Sequence, residues 1–246
     1  MVVRNPNLRW PVPKGLRRRL RGERVRDIRR RGKYLLFDFS RGHLLVHLGM
    51  SGRLTVVPAD TAPRKHDHVD LVLDDGRALR FNDARRFGTV LWLDDPADEH
   101  PLLRGLGLEP LDASFSGEAL RSRAKGRRVA VKQFLMNGAI VTGVGNIYAS
   151  EALFHAGIHP ERAAGRISAP RWDRLARSIR STLESAIDSG GSTLRDFVAV
   201  DGRPGYFQHR HAVYGRAGKA CPACKAKVRT LRQGQRSTFF CPRCQK

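Results

Sequence analysis

The chain has 246 residues, of which 41% are hydrophobic, enough for one large domain or two modest ones with their own cores. No apolar run approaches the roughly 20 residues of a membrane helix, and Met1–Trp10 has no apolar stretch like a secretory signal. The net charge is +23, which favours a polyanionic partner, and all four Cys lie in the last 26 residues, which argues against a disulfide scaffold.

In chain order, residues 33–93 read as β structure. Tyr34–Phe39 and His43–Leu48 are short apolar runs parted by a Ser-Arg-Gly turn. Val69, Leu71 and Leu73 alternate with polar residues, Asp75-Gly76 supplies a hairpin turn, and Leu79 and Phe81 resume the alternation. Thr89–Leu93 closes the region, and regular short strands with turn signals predict a sandwich. Pro101–Pro110 reads as a linker, and from Ser116 the pattern takes a helical period. A helix-length segment starts at Val129, with Lys132, Gln133 and Met136 on it. In the clearest helix, near 170–189, Trp172, Leu175, Ile179, Leu183 and Ala186 recur at three- and four-residue steps. Ser168 can cap its start and Gly190-Gly191 ends it, so it is a packing helix without chemistry.

Between those helical segments, Thr142-Gly-Val-Gly145 precedes Asn146–Phe154, a Gly-rich turn leading into a helix. Exposed amides and the helix dipole at such a point attract an anion, with Asn146 as cap or contact, although glycines before a helix often serve only the turn.

At the C-terminus, Cys221-Pro-Ala-Cys224 and Cys241-Pro-Arg-Cys244 are two Cys-x-x-Cys knuckles 16 residues apart. Two such pairs can present four thiolates tetrahedrally to one structural Zn2+; a redox dithiol needs no second pair at this spacing. Lys227–Leu231 and Ser237–Phe240 are predicted strands, joined by 232–236. The charge is uneven: residues 1–33 hold 13 basic and 2 acidic side chains, and residues 202–246 hold 11 basic and none acidic. General Arg enrichment would not empty the last 45 residues of Asp and Glu. Two basic lobes flanking a near-neutral body fit nucleic acid, and the hairpin suits phosphates better than protein.

Taken together, these residues resemble the formamidopyrimidine-DNA glycosylases. Val141–Phe154 with Ala156–Pro160 resembles that family's helix–two-turn–helix. Arg31–Tyr34, His47–Gly52, Lys65–Asp70, Asp83–Gly88 and Asp201–Phe207 resemble its other motifs, in order and over essentially the whole chain. The sister endonuclease VIII branch shares the ribbon and the two-turn motif but is expected to match Asp83–Gly88 and Thr193–Phe207 less well, so the resemblance favours the oxidised-purine branch. It implies an α+β fold: a β-sandwich over 1–100, incomplete at its start, a linker over 101–115, a helix–two-turn–helix domain over 116–207 with a lesion loop, and a four-cysteine zinc ribbon over 208–246.

The family flips a damaged base out of the duplex and must fill the hole. Met50, Arg85 and Phe87 match its wedge residues; read without the family, Met50 and Phe87 would be core residues. His66, Arg128, Lys132 and Asn146 match phosphate contacts. Arg236 matches a lesion-flanking phosphate contact with a part in the second elimination, Lys33 matches a catalytic amine suited to proton donation or electrostatic stabilisation, and Thr193–Phe207 matches the loop over the flipped purine.

The resemblance further implies a monomeric, cytoplasmic base-excision-repair glycosylase and AP lyase, associated with the nucleoid in a bacterium. It would act on duplex DNA with oxidised purines such as 8-oxoguanine, or with abasic sites. The family's nucleophile is an N-terminal Pro followed by Glu, whereas this sequence begins Met1-Val-Val-Arg-Asn-Pro6. The expectation is therefore a chain lacking that amine, a helix and one strand, either from a misplaced gene start or as a true truncation without cleavage by the usual route. The rivals are a non-catalytic zinc-ribbon protein that binds damaged DNA and an RNA-binding ribbon protein.

Overall fold

The computed structural model describes residues 1–94, 96–191 and 207–246. The chain divides into two compact units, Met1–Arg104 with Ser189–Gln208, and Gly105–Asp188 with His209–Lys246.

The first unit is a sandwich of two antiparallel four-stranded sheets. Its strands are β1 (Val2–Val3), β2 (Asp27–Arg31), β3 (Tyr34–Asp38), β4 (His43–His47), β5 (Arg53–Pro58), β6 (Asp67–Val72), β7 (Arg77–Asn82) and β8 (Thr89–Leu93). They are ordered β1-β6-β7-β5 in one sheet and β2-β3-β4-β8 in the other. Of the alternating residues read from sequence, Leu71 and Leu79 are partly buried against its core and Leu73 is exposed. In that core, Phe37, Leu44, Val46 and Val90 of one sheet cluster with Leu54, Val69 and Phe81 of the other. Leu16 of the short helix α1 (Leu16–Leu20) joins them. Each such side chain contributes roughly 1.5–3 kcal/mol when fully buried.

Strand β2 lacks a readable period. Its sequence, Asp-Ile-Arg-Arg-Arg, forms an edge strand whose shape comes from pairing with β3, and its charges blunt the edge. An apolar trough of about 530 Å3 opens in this unit, lined by Met1, Leu20, Val25, Ile28, Leu35 and Leu73 among others.

The second unit packs α2 (Gly117–Ala124), α3 (Val131–Met136), α4 (Asn146–His155) and α5 (Ala169–Asp188) with the hairpin of β9 (Arg229–Gln233) and β10 (Arg236–Phe240). Ser116 caps α2, its Oγ accepting from the Ala119 amide at 3.1 Å. Along α5 the predicted stripe is buried at Trp172, Leu175, Ile179 and Ala186, with Leu183 partly buried against the same core. Trp172 meets Phe134 of α3 with ring centroids 5.6 Å apart.

Three sequence expectations need correction. Residues 101–115 are not a free linker: Leu103 is buried, Leu108 bridges to Val141, and Phe115 joins the helical core. Their apolar residues find partners that a local reading could not supply. The ribbon is not a separate body over 208–246 but part of the helical unit. Its hairpin turns through Gly234-Gln235 alone, because Arg232 and Gln233 still pair with Ser237 and Arg236. Among the described residues, no helix is long and apolar enough to cross a membrane.

Candidate nucleic-acid interface

In the sheet unit, register gathers the expected wedge residues at one sheet end. Tyr34 of β3 lies opposite His47 of β4, and His47 lies opposite Thr89 of β8. Lys33 immediately precedes that row, the turn 48–52 leaves it, and 84–88 enters it. Met50 is 70% exposed and Phe87 43%, and Lys33 and Arg85 are also exposed. Apolar side chains held in solvent on sharp turns mark a contact surface rather than a core. The Arg85 guanidinium carbon lies 4.6 Å from the Phe87 ring centroid, so cation and ring present one stacked edge.

The backbone beneath them is tightly packed. Gly49 has φ +66°, and a Cβ there would come within 2.6 Å of the Phe87 carbonyl carbon, so only glycine fits. The Gly49 amide donates to His47 Nδ1 at 3.1 Å. Burial, then the charges of Lys33 and Arg9, lower the His47 pKa, which favours the neutral ring. His66 is half-buried, with φ +72° in a tight turn before β6.

In the helical unit, Gly143 at φ +81° turns the chain into α4. Asn146 is the first residue of α4, and Gly145 holds the cap position. Its side chain does not cap; Nδ2 donates to the Ser237 carbonyl at 3.1 Å and lies 3.4 Å from the Tyr214 hydroxyl, while Oδ1 accepts from Lys132 Nζ at 2.6 Å. Lys132 departs from the sequence expectation. It is 1% exposed, donating also to Thr238 Oγ1 at 2.7 Å and the Ser237 carbonyl at 3.2 Å, so its amine is held within the protein. Burial, then the charge of Arg236, lowers its pKa to about 8. Arg128 and Arg236 are exposed, and Arg236 begins β10 beside a cleft of about 250 Å3 lined by Lys132, Gln133, Met136 and Gln233 among others.

The Sγ atoms of Cys221, Cys224, Cys241 and Cys244 all lie within 4.8 Å of one another. Tetrahedral Zn–S bonds of about 2.3 Å need sulfurs roughly 3.8 Å apart, so the four residues fit one structural zinc. Burial and the neighbouring thiols push the Cys244 thiol up, which a bound cation would reverse. Glu151 of α4 ties the approach to the ribbon, accepting from the amides of Ala212, Val213 and Tyr214 at 2.7, 3.0 and 2.8 Å.

The sequence reading did not single out His47 and Asp83 beneath the turns of the sheet unit, nor Glu151 and Tyr214 in the helical unit. The available signal was a charged residue inside an apolar run for Glu151 and an Asp at a strand end for Asp83. The predicted loop Thr193–Phe207 lies, apart from Phe207, outside the described residues.

Comparison with known proteins covers the same regions. The N-terminal domain of formamidopyrimidine-DNA glycosylase matches residues 1–90, its H2TH domain residues 106–198, and the zinc finger found in FPG and IleRS residues 218–246. The formamidopyrimidine-DNA glycosylase of Syntrophotalea carbinolica is 54% identical over 246 residues, covering 100% of this chain and 91% of that protein. That of Methylococcus capsulatus is 54% identical over 244 residues, covering 99% and 90%. Among solved structures, the MutM (Fpg) protein of Thermus thermophilus matches with a TM-score of 0.83 and 42% identity, covering 91% of this chain and 84% of that one. A Lactococcus lactis Fpg mutant in complex with Fapy-dG containing DNA matches with a TM-score of 0.90 and 31% identity, covering 100% and 90%.

Proposed function

Because the chain belongs to the formamidopyrimidine-DNA glycosylase family, we propose that it excises oxidised purines such as 8-oxoguanine from duplex DNA and nicks the strand by elimination. The observation that carries this reading is the exposed set of Met50, Arg85 and Phe87 on a close-packed turn framework. A thioether, a guanidinium and a ring, already ordered, can fill the gap left by an extruded nucleotide at little further entropic cost. Arg85 supplies donors for the orphaned base, while His66, Arg128 and Asn146 supply donors to phosphates.

Lys33, close enough to His47 to lower its pKa, would stabilise developing negative charge or donate a proton at the same sheet end. Arg236 would hold the lesion-flanking phosphate and assist the second elimination. Lys132 acts through Asn146 and β10 rather than on phosphate itself. The Met1 amine borders the apolar trough beside Arg17 and Asp70, and burial, then Arg17, lowers its pKa.

The test incubates the protein with duplex containing 8-oxoguanine and measures released base, strand nicking and a borohydride-trapped adduct. Excision with lyase chemistry yields all three, and peptide mapping of the adduct identifies the attacking amine. Base release without an adduct removes the lyase part of the proposal. Lesion-selective binding with neither product leaves a damaged-DNA-binding protein.

A further inference from the structure

We infer that Asp83 is a positioning residue that locks three DNA-facing turns of the sheet unit into one set, so that the wedge enters the duplex already ordered. The inference deepens the proposed function and rests on reading Met50, Arg85 and Phe87 as the wedge.

Asp83 follows the last residue of β7 and is fully buried. Its Oδ1 accepts from Ser51 Oγ at 2.7 Å and from the Arg85 amide at 3.2 Å, and its Oδ2 accepts from the Gly88 amide at 2.7 Å. One carboxylate thus grips the residue after Met50 and both ends of the turn that carries Arg85 and Phe87. Its backbone does the same for the third turn: the Asp83 amide donates to the His66 carbonyl at 3.1 Å, and its carbonyl lies 2.8 Å from His68 Nε2. Gly88 completes the packing, since a Cβ there would fall 2.5 Å from the Phe81 ring and 2.7 Å from the His47 carbonyl.

The chemistry requires a carboxylate. Both oxygens face donors, so an amide nitrogen in place of Oδ2 would set donor against donor at Gly88. A wedge that must part stacked bases loses affinity for every turn residue it has to order on entry. The network reaches His66 by its backbone carbonyl and by the ring of His68, 6.1 Å from that of His66, and in neither case through the Asp83 carboxylate.

The test compares wild-type protein with Asp83→Asn, Ser51→Ala and Phe87→Ala, using two duplexes of one sequence. One duplex is intact; the other carries a tetrahydrofuran abasic analogue opposite 2-aminopurine, whose fluorescence rises when it is unstacked. Asp83→Asn is expected to lose about tenfold in preference for the abasic duplex and most of the fluorescence rise, with a clearly smaller loss on the intact duplex. Ser51→Ala is expected to lose less of both. If Phe87→Ala abolishes the rise while Asp83→Asn and Ser51→Ala keep it, the positioning role is wrong and the wedge stands. If Phe87→Ala keeps the rise, the wedge reading itself fails. Equal loss of binding to both duplexes would reduce Asp83 to an ordinary structural residue and overturn the inference. Should Asp83→Asn not fold, Ser51→Ala decides by the same criteria.

Discussion

In the sheet unit, Met50 and Phe87 stand in solvent while the charged carboxylate between their turns is fully buried. In the helical unit, Lys132 is buried, as is Glu151, while Arg128 and Arg236 are exposed. Each region departs from the usual partition by burying a charged group, and the sheet unit also by exposing apolar ones. In each, a buried group with several hydrogen-bond partners ties separate segments together: Asp83 joins turns, and Lys132 joins the start of α4 to β10. The difference is in what is displayed: exposed Met50, Arg85 and Phe87 in the sheet unit, which on the proposed function would fill a gap in stacked bases, and exposed Arg128 and Arg236 in the helical unit. Stability and binding should therefore separate in one region and not in the other.

The largest effect expected is from breaking the ribbon. Removing zinc with a chelator, or substituting Cys241→Ser, should unfold the β9–β10 hairpin, because apparent zinc binding at such sites is on the order of 10 kcal/mol. Loss of lesion-DNA binding together with loss of zinc by elemental analysis is the expected result; a zinc-free chain that still binds lesion DNA normally would break the comparison.

A smaller effect follows at Lys132. Lys132→Met leaves Asn146 Oδ1 and Thr238 Oγ1 without their buried donor, a cost of about 1–3 kcal/mol that urea denaturation would show, together with weaker DNA binding. The pH dependence sharpens this. The folded Lys132 pKa of about 8 lies below its ordinary 10.5, so between these values the unfolded chain binds more protons. Lys132 therefore destabilises the charged folded form below pH 8, and its contribution should rise through that window. The rise should be absent from the stability–pH curve of Lys132→Met itself, measured at matched urea.

The smallest effect on stability is expected at the wedge. Met50→Ala removes a side chain that is 70% exposed, so unfolding free energy should move by no more than about 0.5 kcal/mol. Selective binding to abasic duplex should nevertheless fall. A large drop in stability would place Met50 in the packing instead of on the surface.

Much of this molecule was written locally. The two Cys-x-x-Cys pairs announced the zinc site, and the Trp172–Ala186 stripe announced α5, because ligand spacing and helical period are properties of neighbouring residues. Edge strand β2 was hidden by its arginines, since its form comes from a ladder with β3. Arg85 and Phe87 could be picked out by resemblance, but an isolated Phe in a chain is more often core, and only the turn geometry shows it in solvent.

The sequence by itself determined the metal site, the alternation of the main strands, the long helix and the concentration of positive charge at the two ends. Tertiary structure alone decided that Lys132 lies under the surface, that 101–115 packs, and that Asp83 joins three turns. The reason is that the partners of buried polar groups are distant in sequence, 32 residues for Ser51 and Asp83 and 106 for Lys132 and Thr238. Such groups are buried only where the fold brings a partner to them, and no local pattern records that meeting.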